Sequence, residues 1–333
     1  MASFPVSSSI LSAPELANFI QQHYKFSDTA TCNLIKAGIN HTYLIKDLSG
    51  KYIFRIYSCN WRSKQEIEEE LKLIHHLKEN KIPVSYPIAD YQGVVIQELS
   101  APEGTRFAVL FSYANGEKLL DYSLETHEKV GEVMATIHQL TLNYKLDRID
   151  YNEDSLLITP FPRLRNFLSE NSEEMIFMQS LQQQLLNELR AADQTKLRKG
   201  AVHLDIWFDN LNVNAHDEIT IFDFDFCGNG WLCLDIAYYL MQLYVIEINE
   251  ERYLAKLQSF LKGYESVTTI NDEEKSLLHT LGVSLYFFYL GIQCERFENW
   301  SNVFLNETYL KRYIVARVKK YADYQQFNNI INQ

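Results

Sequence analysis

The stretch "VHLDIWFDNLNVNAHDEITIFDFDF", residues 202–226, holds five aspartates, with histidine and asparagine, among β-forming and aromatic residues. Burying carboxylates beside aromatic groups costs free energy unless something pairs with them. Asn210 lies just ahead of one predicted strand and Asp223 ends the next, so antiparallel pairing of the strands brings these two side chains together. Their oxygens suit Mg²⁺, which takes few protein ligands beside water and phosphate.

Asp205 lies in the same stretch, five residues before Asn210. A carboxylate at this place can orient a hydroxyl and accept its proton as the hydroxyl attacks phosphorus. Taken singly, aspartates in loops are most often turn formers or caps, and we expect Asp209 and Asp217 to be such residues. The order H-x-D-x-x-x-x-N followed by D-F-D is far more restrictive, and it favours a site of phosphate transfer.

The elements ahead of this stretch differ from those around it. A short helix is predicted over 13–24 with Ser12 as its N-cap, and a charged amphipathic helix over 63–80. Alternating residues predict strands between 31 and 57 and in "GVVIQEL" and "RFAVLFSYA". In "KYIFRIY", the side chains of Phe54 and Ile56 are expected on one face of the strand and Arg55 on the other.

Helical periodicity dominates after about residue 115. Helices are predicted over 124–141, 172–192, 232–247, 250–263, 272–297 and 306–328. The apolar run 231–248 carries Asp235 and Glu247, and the run 281–292 is too short to span a bilayer, so both predict buried core helices. The sequence therefore predicts a small β-rich N-terminal part and a larger helical part, joined by a hinge near 111–116.

Composition excludes several classes of protein. Proteins that bind nucleic acids usually carry an excess of basic residues, whereas this chain of 333 residues has a net charge of −12. The five cysteines are scattered without a CxxC pair, which predicts a reducing compartment rather than a zinc site or a disulfide framework. No basic segment followed by an apolar run opens the chain, so we expect a cytoplasmic protein without a signal peptide or a membrane span.

The motif of residues 203–226 resembles a known family. "HLDIWFDN" resembles the H-G-D-x-x-x-x-N loop of the aminoglycoside phosphotransferase and choline kinase superfamily, and "IFDFDF" resembles its I-x-D-[FW]-[DE] segment. The resemblance implies an α+β, bilobal protein-kinase-like fold, with residues 1–113 as the nucleotide-binding lobe and 114–333 as the catalytic and acceptor-binding lobe. It also implies a role for each site residue: Asp205 as catalytic base, Asn210 and Asp223 as Mg²⁺ ligands, and His203 and Asp225 as supporting residues.

Other segments fit the same template. "GNGWLCLDIAYYL" resembles a family segment whose aspartate is structural, so Asp235 is expected to brace a loop. "VMATIHQL" matches the family's A-x-x-H-x-L helix, in which His138 is expected to be a packed residue. The sequence departs from the family at Leu204, which replaces the usual glycine between His203 and Asp205. Protein kinases carry arginine there, so a side chain is sterically tolerable.

The N-terminal lobe follows the template less closely. "KAGINHTYLI" takes the place of the phosphate loop, with Gly38 and Asn40 as candidate contacts, and Arg55 takes the place of the cation that grips the phosphates. The family's E-x-x-x-L-x-x-L spacing, counted back from Leu77, implies that Glu70 is the partner of this cation, with Glu66, Glu68 and Glu69 as neighbouring alternatives. "AVLFSYANGE" resembles the hinge, where the backbone from Phe111 to Tyr113 is expected to hold adenine.

The resemblance implies a kinase that uses ATP and Mg²⁺ to phosphorylate a hydroxyl of a small molecule, of the homoserine or amino alcohol class or the aminoglycoside class. The chain looks most like the homoserine-kinase-type-II-like branch and the bacterial stress-response Ser/Thr kinases. A protein Ser/Thr kinase of the same fold and a non-catalytic nucleotide-binding module are the alternatives. The sequence leaves open the acceptor, ATP or GTP as donor, and the oligomeric state, including a homodimer.

Overall fold

One antiparallel sheet organises the first part of the chain. The computed structural model describes residues 4–297 and 305–324. The strands of this sheet are β1 Thr31–Ala37, β2 His41–Asp47, β3 Gly50–Ile56, β4 Pro87–Ile88, β5 Ile96–Ala101 and β6 Gly104–Ser112. They run in the order β1-β2-β3-β6-β4, with β5 also paired to β6, and every pairing is antiparallel. The short β4 was not predicted, and β5 begins within "GVVIQEL" rather than at its start.

The two faces of β3 follow the predicted alternation. Phe54 and Ile56 lie in the apolar core that the sheet forms with helix α1, Ala13–Tyr24. Arg55, between them, contacts helix α2, Lys64–Glu79. A strand whose side chains alternate in this way can support a core on one face and a polar contact on the other.

Helix starts follow capping chemistry, with one exception. The Ser63 side chain accepts a hydrogen bond from the Glu66 backbone and Glu66 reaches back, a capping box that opens α2. Ser12 stands at the N-cap of α1 but makes no side-chain cap hydrogen bond. The sequence therefore placed the start of α1 and its N-cap residue correctly, although the Ser12 side chain does not contribute to the cap.

Helices dominate the second part of the chain. Their bounds are α3 Leu124–Thr141, α4 Glu173–Ala191, α5 Cys233–Ile246, α6 Glu250–Glu265, α7 Asp272–Glu295, α8 Glu307–Tyr313 and α9 Lys320–Ala322. The first five agree with the predicted ranges to within two residues. The helix predicted over 306–328 is present as one helical stretch over 307–322, in which a π-helical segment, Ile314–Lys319, lies between α8 and α9. Residues 325–328 lie outside the described part. Two short helical segments, Asp154–Ile158 and Phe161–Asn166, were not predicted.

Two small sheets interrupt the helices. Strands β8, Leu211–Val213, and β9, Ile219–Ile221, form the predicted hairpin, with Leu211 opposite Ile221. Strands β7, Lys199–Val202, and β10, Gly228–Trp231, pair antiparallel and were not predicted. The loop after β7 and the segment before β10 contain the residues that the sequence singles out for chemistry.

Helices α3 and α6 pack at a distance that only glycine allows. A Cβ atom on Gly131 of α3 would lie 2.1 Å from the backbone oxygen of Phe260. A Cβ atom on Gly263 of α6 would lie 1.9 Å from the backbone oxygen of Glu128. Such distances exclude any side chain, so the two glycines set the separation of these helices.

Helix α7 contains the second apolar run. Among the described residues it is the one helix whose length and composition would allow it to cross a membrane, and 78% of its most apolar window is buried inside the protein. The run 281–292 alone was judged too short for a span, and the full helix is longer than that run. Its burial places it in the core, where the sequence expected it.

The chain divides into two compact units between Asn115 and Gly116. The first unit is β-rich, with the antiparallel sheet and two helices, and the second is mostly helical with two small sheets. This confirms the predicted α+β class with a small β-rich part and a larger helical part. Gly116 has a φ of 104°, and a Cβ there would lie 2.3 Å from the Val213 backbone oxygen, so glycine is needed where the second unit begins.

Candidate active site

The loop between β7 and β8 holds Asp205 by both carboxylate oxygens. Asn210 Nδ2 donates a hydrogen bond of 2.6 Å to Asp205 Oδ2 and another of 3.0 Å to the Asp205 backbone oxygen. The hydroxyl of Tyr238, from α5, donates to Asp205 Oδ1. Asp205 is half-buried, so its carboxylate is fixed by neighbours while part of it stays accessible. A group held in this way is pre-positioned to receive a proton.

Asn210 and Asp223 flank the open end of the β8–β9 hairpin. The register of the hairpin extends one residue beyond the strands, where the Phe222 N–H donates a 3.0 Å hydrogen bond to the Asn210 backbone oxygen. Asp223 follows with a left-handed backbone, φ 68°, and opens the short 3₁₀ turn Phe224–Phe226. The hairpin therefore brings the neighbourhoods of the two predicted metal ligands together, as the sequence expected.

His203 ties the loop to the hairpin. Its Nδ1 accepts a 3.1 Å hydrogen bond from the Asp205 N–H, so the proton of the neutral ring is on Nε2. Nε2 lies 3.3 Å from the Phe222 backbone oxygen, to which it donates. Burial lowers the pKa of His203, against the opposite effect of the nearby Asp235 and Asp223 carboxylates. A neutral His203 thus links the residue before Asp223 to the backbone of Asp205.

Leu204 has a left-handed backbone, with φ 64° and a fully buried side chain. Its N–H donates a 2.6 Å hydrogen bond to Asp235 Oδ1, and the His203 N–H donates one of 2.9 Å to Asp235 Oδ2. The Tyr289 hydroxyl, from α7, donates to the Leu204 backbone oxygen at 2.5 Å. Asp235 therefore braces the loop in the way the sequence predicted, and it also faces His138 at 3.2 Å.

The other aspartates of the stretch have different surroundings. Asp225 is buried in the 3₁₀ turn, and its backbone oxygen accepts a 2.5 Å hydrogen bond from Arg148. Asp209 pairs with Lys118 at 2.7 Å, at the half-exposed rim of the loop. Asp217 has a φ of 55° in the hairpin turn. These positions agree with a supporting place for Asp225 and with loop and turn places for the other two.

Asn210 and Asp223 provide oxygen atoms of a kind that binds divalent ions. The two hydrogen bonds from the Asn210 side chain to Asp205 are donated by its nitrogen, so neither uses its carbonyl oxygen. Within residues 4–297 and 305–324, no group of three or more His, Cys, Asp or Glu side chains is arranged to hold a metal. An Asn and an Asp oxygen suit an ion that takes few protein ligands and fills its shell with water and phosphate oxygens.

In the first unit, Arg55 and Glu70 form a buried ion pair. Arg55 Nη1 lies 2.8 Å from Glu70 Oε1, and the Tyr57 hydroxyl donates a 3.0 Å hydrogen bond to Glu70 Oε2. The guanidinium carbon lies 5.0 Å from the centroid of the Phe111 ring. The Arg55 charge is thus fixed between a carboxylate and an aromatic face, a geometry suited to a guanidinium.

The structure also separates Glu70 from its neighbours on α2. Glu70 is fully buried. Glu66 belongs to the capping box, Glu69 pairs with Lys72 at the surface, and Glu68 is exposed. The partner of Arg55, which the sequence left open among four glutamates, is therefore Glu70.

The turn at Gly38 and Asn40 is tied to the strand end of β3. Gly38 N–H donates a 3.1 Å hydrogen bond to the Asn40 backbone oxygen, and Asn40 Oδ1 accepts one of 3.4 Å from the Ser58 N–H. A Cβ atom on Gly38 would make only ordinary contacts, the nearest at 3.7 Å to Lys36. The Asn40 side chain thus links this turn to the segment after β3, and the turn geometry does not require glycine at position 38.

Phe111 and Tyr113 flank the end of β6. Phe111 is buried, with its backbone opposite Ile53 in the sheet. Tyr113 is half-buried, and the Lys51 ammonium lies 5.3 Å from its ring centroid. Ser112, between these two residues, uses both of its backbone groups in hydrogen bonds. Its N–H donates to the Tyr86 backbone oxygen, and its oxygen accepts from the Ser85 hydroxyl.

Sequence reasoning missed three side chains around Asp205. Tyr238 and Gln242 lie on α5, and Tyr289 lies on α7. In the sequence, Asp235, Tyr238 and Gln242 recur at spacings of three and four residues within an apolar helix. Such a stripe of polar groups along one face of a buried helix was the signal that could have found two of them.

A family model describes most of the chain. The phosphotransferase enzyme family matches residues 31–269, which include the sheet, the loop of Asp205 and the hairpin. A homoserine kinase of Methylobacillus glycogenes is 26% identical over 241 residues, which are 72% of this chain and 72% of that protein.

Solved structures share the fold. The amicoumacin kinase hAmiN, in complex with AMP-PNP, Ca²⁺ and Ami, superposes with a TM-score of 0.74 at 20% identity, over 95% of this chain and 93% of that one. A microcompartment-associated aminopropanol kinase superposes with a TM-score of 0.75 at 19% identity, over 95% and 99% of the two chains. The match of the family model over most of the sequence shows that the chain belongs to the phosphotransferase enzyme family.

Proposed function

We propose that the chain transfers the γ-phosphoryl group of ATP to a hydroxyl of a small amino alcohol or amino acid. The family supports the reaction class, and the names of the homoserine kinase and the aminopropanol kinase support this class of acceptor. The observation that carries the proposal is the Asn210–Asp205 hydrogen bond of 2.6 Å beside the hairpin end that carries Asp223.

Asp205 is the base of the proposed reaction. Its carboxylate takes the proton of the acceptor hydroxyl while the hydroxyl oxygen forms its bond to the γ-phosphorus. The bond from that phosphorus to the bridging oxygen breaks, and ADP leaves with the electron pair. Little covalent chemistry falls to the protein in such a transfer, so the work of Asp205 is positioning and proton acceptance.

Asn210 and Asp223 are the proposed magnesium ligands. The Asn210 nitrogen is engaged by Asp205, so its oxygen is the atom we assign to the metal. When bound, Mg²⁺ neutralises charge on the phosphate oxygens. His203 and Asp225 act as supporting residues, His203 by joining the backbones of Asp205 and Phe222.

The predicted N-terminal lobe, residues 1–113, is the proposed nucleotide-binding part. The Arg55 guanidinium, held by Glu70 at 2.8 Å, is assigned to phosphate oxygens. The segment from Phe111 to Tyr113 is assigned to adenine through the backbone of Tyr113, because both backbone groups of Ser112 are already hydrogen-bonded. The turn at Gly38 and Asn40 is assigned to the phosphates. The ion pair between Arg55 and Glu70 gives these assignments their strongest support, because Glu70 holds the buried Arg55 guanidinium in a fixed position.

A coupled assay of ADP release tests the proposal. Purified protein receives Mg-ATP and, one at a time, homoserine, 1-amino-2-propanol, choline, ethanolamine, an aminoglycoside, a sugar and a generic protein. We expect one amino alcohol or amino acid to raise ADP release well above the acceptor-free rate, and Mg-GTP in place of Mg-ATP distinguishes the donor. A rise with the generic protein alone would contradict the proposed acceptor class and favour a protein kinase.

A further inference from the structure

Tyr238 contacts the carboxylate of Asp205 from inside the core. Its side chain is 2% exposed, on the buried helix α5, and its hydroxyl donates to Asp205 Oδ1. Most residues of α5 are apolar, and a phenol hydroxyl in such a place needs a partner. The partner here is the proposed catalytic base.

The direction of this hydrogen bond is fixed by a third side chain. Gln242 Nε2 donates a 2.9 Å hydrogen bond to the Tyr238 oxygen. An amide nitrogen can only donate, so the tyrosine oxygen accepts from Gln242 and its single proton points to Asp205. Burial and the Asp205 carboxylate raise the pKa of Tyr238 well above its ordinary value, which keeps the hydroxyl protonated.

Each of the two oxygens of Asp205 therefore accepts a side-chain hydrogen bond. Asn210 holds Oδ2 at 2.6 Å from the loop side, and Tyr238 holds Oδ1 from the helix side. A carboxylate restrained at both oxygens has a fixed plane, whereas one held at a single oxygen can rotate about its last torsion. Asp205 remains partly exposed, and a carboxylate oxygen can accept more than one hydrogen bond.

We propose that Tyr238, oriented by Gln242, is a positioning residue that fixes the plane of the Asp205 carboxylate toward the acceptor hydroxyl. This inference rests on the proposed function, in which Asp205 is the base. Tyr238 keeps its own proton throughout and acts through Asp205 alone. Its loss should therefore slow phosphoryl transfer without weakening the binding of Mg-ATP.

The neighbouring tyrosine provides a matched control. Tyr239, also on α5 and buried, shares a 2.7 Å hydrogen bond with His127 Nδ1 on α3. Tyr239→Phe thus removes the same hydroxyl from the same helix, but from a contact that does not involve Asp205. Gln242→Leu provides a second variant that keeps the tyrosine and removes the group that orients it.

The experiment measures kcat, the KM for Mg-ATP and the unfolding temperature, with the acceptor of the panel that gives the fastest ADP release. We expect Tyr238→Phe to lower kcat about 10- to 100-fold with KM for Mg-ATP unchanged. Tyr239→Phe should keep kcat near the wild-type value. The kcat of Gln242→Leu should lie between those of Tyr238→Phe and Tyr239→Phe. In an Asp205→Ala background, Tyr238→Phe should leave the residual rate unchanged, because its only route of action is gone.

Two results would overturn the inference. Equal kcat values for Tyr238→Phe and Tyr239→Phe would show that the hydroxyl on Asp205 has no special role. An equal loss from Tyr238→Phe in the wild-type and Asp205→Ala backgrounds would show a structural effect that bypasses the carboxylate. A failure of the proposed function looks different, since Asp205→Ala itself would then keep the wild-type rate.

Discussion

At position 204 a leucine occupies a backbone conformation that favours glycine, the residue the family pattern has there. A left-handed conformation costs a non-glycine residue about 1–2 kcal/mol. Leu204 offsets this by burying its side chain, by donating to Asp235 and by accepting from Tyr289. The departure from the family pattern therefore leaves the loop geometry intact.

The buried ion pair of Arg55 and Glu70 is expected to stabilise the fold. Glu70→Ala would remove the carboxylate that lies 2.8 Å from the buried Arg55 guanidinium, which is 7% exposed. We expect the free energy of unfolding, measured by urea titration, to fall by about 3–5 kcal/mol. Glu68→Ala, an exposed neighbour on α2, should change it by less than about 0.5 kcal/mol. Equal values for the two variants would contradict the importance of the pair.

His127 predicts a pH dependence of stability. Burial lowers its pKa from 6.5 to about 4, and its Nε2 has no hydrogen-bond partner. Between pH 6.5 and about 4, His127 is protonated in the unfolded chain but stays neutral in the folded protein. The free energy of unfolding should therefore fall as the pH is lowered from 6.5 to 4, by up to about 3 kcal/mol from this residue.

The measurement compares unfolding curves at several pH values. His127→Gln should make the decline between pH 6.5 and 4 shallower than in the wild type, because the replacement has no proton to gain. His75→Gln, at a surface position on α2, should leave the slope unchanged. A slope that is the same in all three proteins would mean that His127 is not the group responsible.

At the scale of elements, the contact between α3 and α6 depends on glycine. In Gly263→Ala, the new methyl group would meet the Glu128 backbone oxygen at 1.9 Å, so the helices must separate. We expect a net loss of about 1–3 kcal/mol in the free energy of unfolding, although alanine is the better helix former. Lys262→Ala removes only an exposed ion pair to Glu128 and should cost less than about 0.5 kcal/mol. A Gly263→Ala protein as stable as the wild type would show that α3 and α6 can adjust without cost.

The elements that were predictable carry a strong period or a clear stop signal. Helix α2 and the β8–β9 hairpin were found because local spacing alone determines which face of each is buried. Strands β7 and β10 were missed because "KGAV" and "GNGW" are short, contain glycine and pair across 25 residues or more. The helix predicted over 306–328 contains a π-helical segment that the sequence did not indicate, because a helical period does not reveal a π-helical insertion.

At the scale of the whole molecule, sequence patterns predicted the order of a β-rich unit and a helical unit, and the family model spans both. They also predicted which residues of the second unit lie around the hairpin end. They could not find Tyr238 or Tyr289, since those contacts with residues 204 and 205 join positions more than 30 residues apart. Such contacts are decided by how helices pack, which a local pattern does not contain.

The central claim is that Asp205 accepts the acceptor's proton, and one comparison within its loop tests it most directly. ADP release with Mg-ATP and the best acceptor of the panel is measured for Asp205→Asn and for Asp209→Asn. Asp209, in the same loop, makes a half-exposed ion pair with Lys118 and is the matched control. We predict a loss of about 100- to 10,000-fold for Asp205→Asn and a near wild-type rate for Asp209→Asn. Undiminished ADP release by Asp205→Asn would contradict the account.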